Sequence, residues 1–219
     1  MSITTGVTNG TPQRLTFGAG ILFQGVTYSE DTAPTEQAIK SAILGATSDG
    51  ITFTFTPEIT APELDGVHVD VKELQRKTGE TLEIEASVAE LTPDIVMHQV
   101  IGEKADSTDK QYDVIKSSAL TAGHFYSGFG FYGELFDGRP FIILIKNAQC
   151  TSGLSLDNKS KETGAMKCTF KAFSDLEYGV DKLPYAIFIR KVDGWNTASV
   201  DEIDESKVVA VQEEAVSEE

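Results

Sequence analysis

The sequence predicts a mainly β fold: a β-sandwich or open barrel of two packed sheets with one flanking α-helix. Three observations point there. Residues 51–59, ITFTFTPEI, alternate apolar and hydroxyl side chains, as a strand with one buried face does. Asp137-Gly138 separates two strand-like runs, 124–136 and 139–149, in the manner of a tight hairpin. Against these β segments stands one strong helix start, Thr92-Pro93-Asp94.

The elements follow in order. Residues 1–13 are small and polar and read as a flexible arm. RLTFGAGILFQ (14–24) is a strand interrupted by glycine. A long connection covers 25–50. Within it TEQAIKSAILG predicts a short helix capped by Thr35, with Ile39 and Ile43 one turn apart and Gly45 as its end. In the next strand Ile51, Phe53 and Phe55 share one face, and Thr52, Thr54 and Thr56 the other. Asp65-Gly66 marks a turn, and VHVDV (67–71) a brief strand.

The stretch TLEIEASVAELTPDIVMHQVIG (81–102) changes period halfway. Leu82, Ile84, Ala86 and Val88 alternate with Glu83, Glu85, Ser87 and Ala89, which predicts a strand with one partly acidic face. A helix then opens with Thr92 as cap, Pro93 in the first turn and Asp94 at the positive end of the dipole. Leu91 and Val96 are spaced as a hydrophobic staple, and Gly102 is the expected stop. Residues 103–123 read as a second long loop, anchored by Val114 and Ile115. FIILI (141–145) does not alternate, so burial on both faces is expected. Met166, Cys168, Phe170 and Ala172 alternate with Lys167, Thr169 and Lys171, and PYAIFIRK (184–191) supplies the last strand. One domain over 14–195 is expected, followed by a disordered acidic tail at 196–219.

Composition narrows the function. The 219 residues carry 34 acidic and 18 basic side chains, a formal charge of −16. Eight acids and one lysine lie in 199–219, so the tail holds −7 and the body −9. Such a body does not bind DNA by neutralising phosphates, which takes clustered Lys and Arg. No basic-then-apolar leader and no apolar run of about 18 residues occurs, which predicts a protein made in a cytoplasm. Cys150 and Cys168 sit in strand-like segments and are expected as buried free thiols.

Several motifs suggest chemistry and fail on context. Gly128, Gly130 and Gly133 spell G-x-G-x-x-G, but inside FYSGFGFYGELF they continue a strand instead of opening a helix. Relief of crowding between aromatic rings, or a bulge, explains them better. His68, His98 and His124 lie on separate elements without ligand spacing. Glu83 and Glu85 resemble a glycosidase pair only in type, and no local partner activates Cys150 as a nucleophile. The expectation is therefore a non-enzyme with no catalytic residue, metal or cofactor. The aromatics of 125–136 are expected in the core, with a binding surface as the alternative.

The order of segments resembles the major tail tube protein of long-tailed, non-contractile bacteriophages. Three places carry the likeness. They are LGATSDGITFTFTPEI (44–59) with the following VKEL and TGETLEIEASVAELTPDIV, the hairpin GELFDGRPFIILIKNAQ (133–149), and SGLSLDNKSKETGAMKCTFKAFSDLE with the closing PYAIFI. The resemblance spans roughly 44–190. It implies a sandwich-like subunit whose inner sheets join into a closed barrel in a hexameric ring, with rings stacking into a tube. The implied partners are further copies, the tape-measure protein, and the tail-tip and tail-terminator proteins. Double-stranded DNA would pass through the lumen without specific binding, and no membrane is involved. The implied location is the virion tail, assembled in the host bacterial cytoplasm.

On this reading Thr52, Thr54, Thr56, Glu83, Glu85 and Ser87 are candidates to line the lumen, the outside of the tube being the other option. The 25–50 connection, with Thr35, Glu36, Gln37 and Lys40, best matches the loop that bridges rings, and 103–123 is the second candidate. Thr92, Pro93, Asp94 and Val96 belong to the flanking helix. Two alternatives stay open: a non-enzymatic sandwich that binds a capsid or host surface, and the inner tube of a contractile tail.

Overall fold

The computed structural model describes residues 11, 14–65, 69–108, 110–158 and 163–191. In chain order these form β1 (Thr16–Phe23), α1 (Glu36–Ser41), β2 (Ile43–Gly45), β3 (Thr47–Thr60), β4 (Arg76–Val88), α2 (Pro93–Val100), β5 (Gly102–Ala105) and β6 (Val114–Ser117). There follow β7 (Tyr126–Leu135), β8 (Pro140–Cys150), β9 (Leu156–Asp157), β10 (Ala165–Phe173) and β11 (Tyr185–Ile189). The fold is mainly β with few helices, as expected, and its strands form one large sheet and the small β5-β6 pair. The expected N-terminal arm, apart from Thr11, and the acidic tail lie outside the described residues.

The large sheet runs β2-β1-β7-β8-β10-β4-β3 and every pairing in it is antiparallel. β8 joins its two layers. The first half of β8 pairs with β11, Tyr185 opposite Ile145 to Ile189 opposite Phe141. The second half passes to β10, Asn147 opposite Phe173 to Cys150 opposite Phe170. The sheet thereby folds over, so that β3-β4-β10 faces β1-β7-β8 across one core of Leu22, Leu82, Ile84, Phe129, Ile145 and Phe170. On the far side β3 approaches β1 without pairing to it.

The uniform apolar run in β8 follows from two cores. Ile145 enters the main one, while Ile142 and Leu144 turn outward to Phe23, Val26 and Ile39. Ile39 is the one buried residue of α1, so this helix covers the outer face of β8. A strand buried on both faces cannot alternate.

Four expectations are corrected. The 25–50 connection is mostly ordered: α1 stops at Ala42, and Ile43–Gly45 becomes a strand on β1 because Leu44 there reaches the main core. Residues 69–71 form no strand. They bend into a 3-10 turn at Lys72–Leu74, with Val69 exposed, while 66–68 lie outside the described residues. The 103–123 segment is not one loop, since β5 and β6 make a hairpin of their own that half-buries Val114 and Ile115. Both expected helices form, but the second does not end on glycine. Ile101 takes the left-handed position (φ 50) and Gly102 begins β5. Glycine is needed there for space, because a Cβ on Gly102 would meet the Ile115 side chain at 2.8 Å and the Lys116 carbonyl at 2.9 Å.

Candidate functional site

The six residues expected at the lumen stand together on one open face. β4 alternates buried Leu82, Ile84, Ala86 and Val88 with outward Glu83, Glu85 and Ser87. β3 turns Ile51, Phe53 and Phe55 to the core and leaves Thr52, Thr54 and Thr56 exposed. Register sets Thr52 opposite Glu85, Thr54 opposite Glu83, and Thr56 opposite Thr81.

β10 brings residues to the same face that sequence reasoning did not place there. Lys171 is opposite Glu83, Thr169 opposite Glu85 and Lys167 opposite Ser87. The Lys171 ammonium lies 3.9 Å from the Glu83 carboxylate, both side chains partly exposed. An acidic column on β4 therefore runs beside a basic column on β10. The face is charge-balanced, not acidic. The alternation of β10 was legible, but its adjacency to β4 joins segments some 80 residues apart and leaves no local signal.

The edge of this sheet is β3, 14 residues long and paired only with β4. A bulge at Asp49-Gly50 precedes its regular stretch. From Thr56 to Thr60 every residue is exposed, as are Arg76 to Thr78 opposite, so this end of the hairpin runs clear of the core. Its root is held by Phe55 against Tyr185 (ring centroids 5.3 Å apart), by Lys77 over Phe55, and by Glu80. The Glu80 carboxylate pairs with Lys77 and accepts the Leu183 N–H at 2.6 Å. The expected ring-bridging residues sit elsewhere. Thr35 accepts the Ala38 N–H as the cap of α1, and Glu36 and Lys40 form an exposed pair at 3.9 Å, with Gln37 exposed between them.

The flanking-helix residues behave as their types dictate. Thr92 Oγ1 accepts the Ile95 N–H at 3.3 Å, Pro93 opens the helix, and the Asp94 carbonyl meets His98 Nδ1 at 2.7 Å. Val96 is half-buried, but Leu91 is 60% exposed, so the expected staple buries little. His98 stacks on Tyr126 (4.1 Å), and burial pushes the Tyr126 hydroxyl well above the ordinary tyrosine range. His124 is buried in a turn. Its Nδ1 accepts the Thr121 N–H at 3.0 Å, which leaves the proton on Nε2 to donate to the Gly102 carbonyl at 3.1 Å.

Cys150 and Cys168 are free and buried, as expected. The Cys168 thiol donates to the Met166 carbonyl at 3.5 Å, and Cys150 Sγ meets Ser152 Oγ at 3.4 Å. The interaction of the two neighbouring thiols draws Cys150 below the ordinary thiol range and, with burial, pushes Cys168 up. The Gln99 amide donates to Cys168 Sγ at 2.8 Å. Burial governs access: a disulfide reagent is expected to find no thiol in the native protein and two after unfolding. Rapid reaction of either thiol in the native state would contradict this packing.

Among the described residues no three His, Cys, Asp or Glu side chains gather as a metal site, and no helix is long and apolar enough to cross a membrane. The surface on offer is a broad polar sheet face ending in a long free edge. No protein-family model matches the chain, and no curated protein matches it in sequence.

Proposed function

We propose that this protein is a structural virion subunit that polymerises as stacked hexameric rings into a phage tail tube, the conduit through which the genome leaves. The observation that carries the reading is the unpaired edge of β3. Monomeric proteins blunt such edges with short strands, lysines, prolines or covering loops. Here the regular stretch from Ile51 to Glu58, bounded by register shifts at Ser48/Ile51 and Glu58/Ile59, holds one proline, Pro57, one charge, Glu58, and no lysine. Backbone groups left in this way are a template on which a neighbour's strand can pair. Closing that sheet around a ring removes the edges altogether. The segment likeness set out above supports the same conclusion.

In this proposal the Thr, Glu and Lys face lines the bore, and the projecting end of the β3–β4 hairpin, in place of α1, reaches toward the next ring. The tape-measure protein and then double-stranded DNA pass along the wall without being gripped.

Negative-stain electron microscopy of the concentrated protein, alone and with a tail-tip complex, tests the assembly. Hollow tubes with six-fold end views are expected. Small globular particles under both conditions would instead favour a sandwich that binds a capsid or host surface. The wall is tested by Glu83→Lys/Glu85→Lys, which turns a balanced face into a basic one beside Lys167 and Lys171. Tubes should still form, while DNA ejection slows at low salt and recovers as salt rises. Ejection at the wild-type rate at every salt concentration would remove this face from the lumen.

A further inference from the structure

The β3-β4-β10 layer has a second free edge. Cys150 on β8 pairs with Phe170, and Leu156 on β9 pairs with Met166, so six residue steps from β8 to β9 answer four along β10. The excess is taken up at Ser152 and Gly153, the latter at φ 68. Ser152 Oγ replaces the interrupted ladder by accepting the Thr169 N–H at 3.0 Å and donating to the Lys167 carbonyl at 3.2 Å. β9 thus continues the line of β8 along β10. The pairing of β7 with β8 starts only at Tyr126 opposite Ala148, so among the described residues no strand covers the outer edge of β9.

We infer that β9 is the edge that receives β3 of a second copy of this chain, making residues 154–157 the acceptor half of the contact between neighbours in a ring. The inference rests on the tail-tube reading and adds the site of closure to it.

Strand direction is the first argument. β3, β4, β10 and β9 are successively antiparallel, so they run up, down, up and down. Rotation about an axis along the strands preserves those directions. The next copy therefore presents an up-running β3 to a down-running β9, and the junction is antiparallel like every other pair. An odd number of strands would have forced a parallel seam. Antiparallel pairing is also the slightly stronger kind.

Side-chain parity is the second. Leu156 is opposite buried Met166 and so lies on the apolar side of the layer, where Ile51, Phe53 and Phe55 of β3 also lie. Leu154 and Leu156 are 44% and 45% exposed, which leaves apolar area at this edge for a neighbour to cover. Asp157 is opposite Ala165 and takes the polar side with Thr52 and Thr54. Joining the two edges extends the apolar layer on one face and the polar layer on the other. A slip by one residue would exchange the faces, so the register is specified to within two.

Engineered disulfides read this contact. Asp157→Cys is combined in turn with Thr52→Cys, Thr54→Cys and Thr56→Cys, all on the polar side. Thr54→Cys/Glu83→Cys, a directly opposed pair within one chain, controls for the oxidation. Assembled material is oxidised with diamide, which takes up two hydrogens as the thiol pair becomes a disulfide, and is run on denaturing, non-reducing gels. At least one combination should give a ladder of covalent multimers that reductant collapses. Tubes in the microscope with no ladder from any of the three, while the control oxidises, would overturn the edge assignment and leave the tube reading standing. Neither rings nor tubes from the unmodified protein, even with a tail-tip complex, would remove both.

Discussion

Gly128→Ala is expected to destabilise the native fold severely. The residue sits at φ +57, and a Cβ built on it would lie 1.6 Å from the Val26 carbonyl oxygen. That carbonyl cannot easily move. Its segment is tied to β7 by the Gly25 N–H to the Ser127 carbonyl at 2.8 Å and the Val26 N–H to the Gly128 carbonyl at 3.3 Å, and Val26 is buried in the outer core. The left-handed conformation alone costs a non-glycine residue about 1–2 kcal/mol. Backbone overlap places the total at about 4 kcal/mol or more, a large part of a typical domain's stability. Gly138→Ala isolates the two effects, because it has φ +79 with nothing within 4 Å of the added carbon. Denaturant unfolding of both should separate them by at least about 2 kcal/mol. Similar midpoints would mean that the chain at Val26 yields freely.

The same geometry explains the glycine motif. A Cβ on Gly130 would meet the Ile143 carbonyl at 2.3 Å and the Phe23 ring at 2.4 Å, and one on Gly133 would meet Phe131 at 2.9 Å. These glycines make room for rings and backbone, as their strand context suggested.

Phe170→Ala is the second large loss. The side chain is fully buried, 4.5 Å from the Phe129 ring and 5.6 Å from Tyr126 between centroids. It belongs to β10, whose register links β4 to β8 at this residue, Ile84 on one side and Cys150 on the other. Truncating such a ring costs about 3–5 kcal/mol, which for a chain of this size lowers Tm by roughly 6–20 °C. Phe173→Ala, three residues on, removes a half-buried ring that stacks edge-on against Phe125, and should cost less than half as much. Equal losses in a calorimeter would show that the core, not the outer ring, relaxes.

What could be read in advance divides along the reach of the interactions. Local alternation placed β3, β4 and β10, and the Asp137-Gly138 turn placed β7 against β8, because side-chain period and turn chemistry act within a few residues. The split of β8 between β11 and β10 was invisible, whereas the burial of FIILI on both faces was not. β5 was hidden because Glu103 and Lys104 are polar and only their pairing with Ile115 and Lys116 makes them strand. Gly45 and Gly102 were misread as helix ends for a related reason. Glycine signals either a left-handed turn or a close approach, and at Gly102 the neighbour that decides lies on β6. The candidate face was recognised from its Thr and Glu positions. Its Lys column was not, since strand order is a property of the folded sheet.

That column changes how the face acts at a distance. Glu83 and Glu85 stand one strand from Lys167 and Lys171, a spacing of about 4.8 Å. Seen from within that distance the surface is strongly charged. From one or two water layers away, the opposed columns act as a row of dipoles whose fields largely cancel. A polyanion sliding past would cross no deep electrostatic wells and no tall barriers, so its drag would come from water and shape. In electrical terms such a surface is smooth.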